Sequence, residues 1–93
     1  MEVLITTGNH VEGYEIVEYH GIVRGGYFLF DARKTDDKEQ DIQTERTLEA
    51  ISRKAEKKGA NAVVGLSQQI SLDYLYHKYV EYLGTMVTIK KKE

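Results

Sequence analysis

One stretch of this chain reads as a secure helix, and it lies between two β-rich regions, a ratio that constrains the fold more than any other feature of the sequence. Thr44, Leu48, Ile51 and Ala55 recur at helical spacing and form a single stripe, with Glu49 and Arg53 as a favourable i,i+4 pair outside it. Lys54, Lys57 and Lys58 fall in the last turns, where cations offset the helix dipole, and Gly59 suits the left-handed position that ends a helix. The stripe therefore predicts a helix over about residues 44–58. Its end is set, but its start is open. Asp36 and Glu39 have capping-box spacing, yet a helix begun there turns Ile42 away from the stripe. Either residues 36–42 form a separate turn, or Ile42 packs on a neighbouring subunit.

The flanking regions read as strands. A short one covers Val3 to Thr6, a turn follows at Gly8 and Asn9, and a long β-rich run extends from Tyr14 to Phe30. Simple alternation along that run puts Val17, Tyr19 and Val23 on one face, and Glu18, His20 and Arg24 on the other with Ile16 and Ile22. Gly21, Gly25 and Gly26 interrupt it and mark a bulge, a turn or a close backbone approach. After the helix, Ala62 to Leu66 is a continuous apolar run of the kind a central strand shows, and Val80 to Ile89 gives the last strand. The stretch between them fits a helix or strands by period alone; a hairpin with Ser71 and Asp73 near its turn is the favoured reading. With 93 residues, no proline and no repeat or linker, residues 1–93 read as one α+β domain: a small, antiparallel-rich sheet with one main amphipathic helix.

A domain of this size buries only about 60 to 65 per cent of its unfolded surface, so its core is small. There is no cysteine, which removes disulfides, thiolate metal sites and a thiol nucleophile together, and leaves packing to hold the fold. One helix cannot cover both faces of a sheet of three or four strands. Tyr19, Tyr27, Phe28, Tyr74, Tyr76, Tyr79 and Tyr82 are all in the strand regions and need further cover. A second copy of the chain is the economical source of it, by edge pairing or face packing, so these seven are candidate interface residues.

Four stretches resemble the YbjQ-like family of heavy-metal-binding proteins. They are Thr6-Thr7, the run from Glu12 to Tyr19 leading into Gly21-Ile22-Val23, the helix ending in Lys57 and Lys58, and Gly59-Ala60-Asn61-Ala62-Val63-Val64-Gly65. The Gly84-Thr85 pair of the last strand fits the same pattern. The resemblance implies a dodecin-subunit-like fold assembled into a ring-shaped homopentamer with no established enzymatic activity. Two departures stand out. Many members carry a cysteine where this chain has His20, and imidazole, which can bind zinc, copper or nickel, does not reproduce thiolate chemistry with soft metals or selenium. The segment from Tyr27 to Asp41 is also shorter and more charged than in typical members.

The remaining functional classes separate by chemistry. His10, His20 and His77 have no ligand spacing within one chain, but a cyclic assembly repeats His20, with Glu18 on the same strand face, around an axis. Glu18 and His20 are thus the ligand or metal candidates, with a transition metal as the implied ion. The same pair is the one acid/base arrangement an enzyme could use, and a cross-strand polar pair is the simpler account of it. No serine elbow or phosphate loop is present. A net charge of −2 argues against nucleic acid as a partner, and no apolar run approaches a membrane span. A non-enzymatic, homo-oligomeric, cytoplasmic binding or scaffold protein for a small ligand or metal ion is the leading reading. A protein–protein interaction module using the charged Asp31 to Asp41 segment is the runner-up.

Overall fold

The computed structural model describes residues 2–93 and divides them into β1 (Leu4–Ile5), β2 (Tyr14–Leu29), α1 (Asp37–Lys57), β3 (Ala62–Leu72) and β4 (Lys78–Lys91). The strands form one sheet in the order β1-β3-β4-β2, in which β1 runs parallel to β3 and the other pairs are antiparallel. This is the expected α+β architecture. The favoured hairpin between β3 and β4 is present, with its tip at residues 73–77.

The helix starts at Asp37, well before the stripe at Thr44. Asp36 keeps extended backbone angles while its Oδ1 accepts the Glu39 N–H at 2.8 Å, which satisfies one of the donors a helix start leaves open. Ile42 then lies inside the helix and remains 39% exposed, so the separate turn at 36–42 is replaced by a continuous helix with an uncovered isoleucine. At the other end Gly59 has φ +85, and the Lys58 and Gly59 N–H groups donate to the Ala55 and Glu56 carbonyls.

The buried side of α1 is Thr47, Ile51 and Ala55. Ile51 is fully buried and lies over Gly25 of β2, where an added Cβ would stand 3.1 Å from Ile51 Cγ1. A side chain at Gly25 would push the helix off the sheet. The main core continues through Val23, Val63, Val80, Tyr82 and Met86, all on the helix side. On the opposite side only one end of the sheet is covered, where Val11 of the loop after β1 and Tyr14 and Ile16 at the start of β2 pack on Ala62, Val64, Val87 and Ile89. That loop is tied to β3 by bonds from Gly65 N to Gly8 O and from Leu66 N to Thr6 O. Between α1 and β3, Asn61 acts as a bracket, donating Nδ2 to Ile89 O at 3.0 Å and accepting from Ile89 N at 2.7 Å.

Strand β2 corrects the simple alternation. Its pairing with β4 shifts between Ile16 and Glu18 and again between Tyr19 and Gly21, and each extra residue resets which face the following side chains take. Val23 is therefore in the core, while Val17 and Tyr19, assigned to its face by period, are 53% and 69% exposed. The helix lies along β2 and does not reach the outer half of β3, where residues 67–72 are all exposed. Truncating Ile51 to alanine should cost about 2–5 kcal/mol in denaturant unfolding, as for other fully buried aliphatics. Tyr74→Ala, at an 89% exposed position, should stay within about 0.5 kcal/mol of the parent.

Candidate functional site

The two residues singled out for metal or ligand chemistry do meet. His20 Nε2 lies 3.1 Å from Glu18 Oε1 and 2.7 Å from Thr88 Oγ1. Both pairing shifts of β2 flank this point, so the bulges place the two side chains together over Thr88, the β4 residue opposite Glu18. Thr88 Oγ1 donates its hydrogen to Gly59 O at 3.2 Å, just past the helix end. The threonine oxygen therefore meets the imidazole as an acceptor, and in the neutral ring Nε2 carries the hydrogen, shared between Thr88 and Glu18. Nδ1 is then the ring atom left to accept a proton or a metal ion. The His20 side chain is 15% exposed and Glu18 is 64% exposed, which makes the site half-buried at the junction of β2, β4 and the α1 terminus.

Chemically this is a histidine oriented by a carboxylate and a hydroxyl, the kind of support that metal-binding histidines receive. Among the described residues, no group of three or more His, Asp or Glu side chains gathers to hold an ion. A metal at His20 needs donors from a second chain. The other two histidines are elsewhere: His10 is exposed in the loop after β1, and His77 is in the β3–β4 hairpin.

The hairpin tip is a second, more elaborate cluster. Asp73 Oδ1 accepts from Leu75 N and His77 N, and Oδ2 lies 3.0 Å from His77 Nδ1. The His77 ring packs against Phe28 and Phe30, with ring centres 5.7 and 5.1 Å away. Arg33 stacks 4.1 Å above the Tyr76 ring while its guanidinium makes two bonds to the Asp31 carboxylate. Tyr76 itself has φ 63, an uncommon conformation for an aromatic residue, and its carbonyl accepts from Ala32 N at 2.9 Å. These contacts bind the segment after β2 to the tip. Two acids of the Asp31 to Asp41 segment, Asp31 and Asp36, are thus engaged within the chain.

The seven aromatic interface candidates divide. Tyr82 is buried in the core under α1, with its hydroxyl accepting from Gln68 Nε2 at 2.7 Å, and Tyr27 is half-buried with its hydroxyl 3.3 Å from Thr44 Oγ1. Both stabilise this chain's own helix–sheet contact, because the second bulge in β2 and the odd–even register of β4 turn them inward. Tyr19, Phe28, Tyr74, Tyr76 and Tyr79 are between 42% and 89% exposed. Sequence reasoning missed Thr88 and Asn61, whose roles come from contacts between residues distant along the chain; the asparagine two residues past the helix stop was the one local signal available.

No family model matches the chain. Among solved structures it is similar to a protein of unknown function from Pediococcus pentosaceus ATCC 25745 that belongs to the DUF74 family. The match has a TM-score of 0.71 at 21% sequence identity and covers 95% of this chain and 98% of that one. DUF74 is the YbjQ-like family. The shared feature is the fold, over nearly the whole of both chains. No helix among the described residues is long and apolar enough to cross a membrane.

The tip cluster makes a pH prediction. Partial desolvation works to raise the Asp73 carboxyl, but bonds from His77 N, Leu75 N and the His77 ring outweigh it and leave its pKa below the usual range. Its contribution is present above the unfolded-state value of about 3.9 and is lost as pH falls through the lower folded-state value. Amide exchange at residues 73–77 should accelerate, at matched intrinsic rates, in that acidic window, and Asp73→Asn should abolish the transition.

Proposed function

We propose that the chain is a YbjQ-like subunit that assembles with copies of itself into a ring, the pentamer implied by the sequence resemblance, and serves as a non-enzymatic binding scaffold. The observation that carries this reading is the pair of strand edges left open. β2 ends the sheet on one side, and beyond the two-residue β1 the outer half of β3 pairs only with β4. Long unpaired edges are templates for another chain, and natural proteins block them unless they are used. Here the exposed side chains near those edges include Ile22 and Phe28 on β2 and Ile70 and Leu72 on β3. An edge of one kind meeting an edge of the other is a head-to-tail contact, which closes into a ring when the rotation per subunit divides a full turn.

Light scattering coupled to size exclusion should give a mass about five times the 10.7 kDa of one chain. Ile70→Lys, which places a charge at the β3 edge, should shift the protein toward smaller species with its helix content unchanged. A parent protein that elutes as a monomer at micromolar concentration sinks the reading.

Ligand binding in such a ring draws on the His20 site. Each subunit contributes one imidazole already oriented by Glu18 and Thr88, so a shared axis or interface can supply the donors that one chain lacks. Titration calorimetry with zinc, copper or nickel at about ten micromolar should show heat that His20→Ala removes. A flat baseline with all three, together with an unchanged melting temperature on adding metal, excludes a metal at this position and leaves the scaffold reading intact.

A further inference from the structure

A cleft of ≈ 340 Å³ lies where the last turns of α1 meet β2. Its apolar floor includes Val23 and Met86, which are 4% and 5% exposed, and its rim carries Arg24, Lys54, Lys57 and Lys58. No acidic side chain lines it. No carboxylate among the described residues pairs with Arg24, Lys57 or Lys58. In a chain whose net charge is −2, this is a concentrated cationic patch over a preformed apolar surface.

The helix dipole explains part of this charge, since lysines in a last turn are favourable. It does not explain the rest. Arg24 belongs to the strand, and Lys54 Nζ is drawn to the Arg24 carbonyl at 2.9 Å, which fixes an ammonium group at the rim. Lys54 and Lys58 stand one turn apart as like charges, an arrangement that an isolated helix disfavours. An anion between strand and helix relieves that repulsion, and the floor adds an apolar contact that a bare ion cannot use. The volume is at the small end of ligand sites, too small for a folded partner's surface.

We propose that this cleft binds a small amphipathic organic anion: a carboxylate or phosphate held by Arg24 and the lysines, carrying a short apolar body that rests on Val23 and Met86. The anion-holding and floor residues all come from one chain, while Ile22, which also lines the cleft, lies on the β2 edge assigned to the assembly above, so the test is made in that assembly.

The test uses the isotope-labelled full chain in its native assembly, followed by amide NMR. Benzoate and phenyl phosphate, which share one apolar body, serve as probes, with inorganic phosphate and phenol as the charge-only and apolar-only controls. At least one amphipathic probe should produce saturable shifts centred on residues 22–24, 54–59 and 86, with affinity at least tenfold above both controls. Comparing the two probes separates a carboxylate site from a phosphate site. The double variant Lys57→Gln, Lys58→Gln, both at exposed positions, should weaken binding at least tenfold while leaving the rest of the spectrum in place. If that variant does not keep its native spectrum, Arg24→Gln at the exposed strand position is read the same way. Inorganic phosphate binding as tightly as the probes would mean an adventitious ion only and would overturn the proposal. So would shifts scattered away from the cleft, or undiminished binding by the folded variant.

Discussion

The seating of Ile51 on Gly25 is the contact on which the remaining geometry depends. Because position 25 has no side chain, the helix settles close to β2 and meets that strand more than β3. Everything left open follows from this offset. The outer half of β3 extends past the helix uncovered, and the cleft forms where the helix end overhangs β2. The same placement brings Gly59 to the Thr88 hydroxyl and so completes the hydrogen-bond chain that orients His20.

A domain with one helix and a four-stranded sheet has more apolar strand surface than one helix covers, and this chain handles the excess in three ways. The loop after β1 folds over one end of the back face. The Asp73, His77 and Arg33 cluster braces the hairpin tip with polar and ring contacts where no core exists. What remains, chiefly Ile22, Phe28, Ile70 and Leu72, stays exposed beside strand edges that pair on one side only. Exposed isoleucines beside open edges are a hazard for a monomer and an asset for a subunit.

Much of the architecture was legible because it rests on local chemistry. The helix stripe and its glycine stop, the apolar run of β3 and the turn residues after Ser71 each carry their own signal, and each element appears where that signal is. The helix start was ambiguous for a local reason as well, since Ile42 breaks the stripe while Asp36 supplies a good cap, and the cap prevails. Strand faces were less legible. Alternation holds only while the register holds, and Val17 and His20 are the extra residues that break it.

By itself the sequence determined one helix, a cysteine-free core and a mostly antiparallel sheet, since periodicity and residue chemistry act within a few residues. Tertiary structure alone decided that Tyr27 and Tyr82 belong inside, that Thr88 completes the histidine site, and that Arg24 faces three lysines across a cleft. Those outcomes depend on strand register and helix position, which are fixed by contacts between residues as much as 68 positions apart.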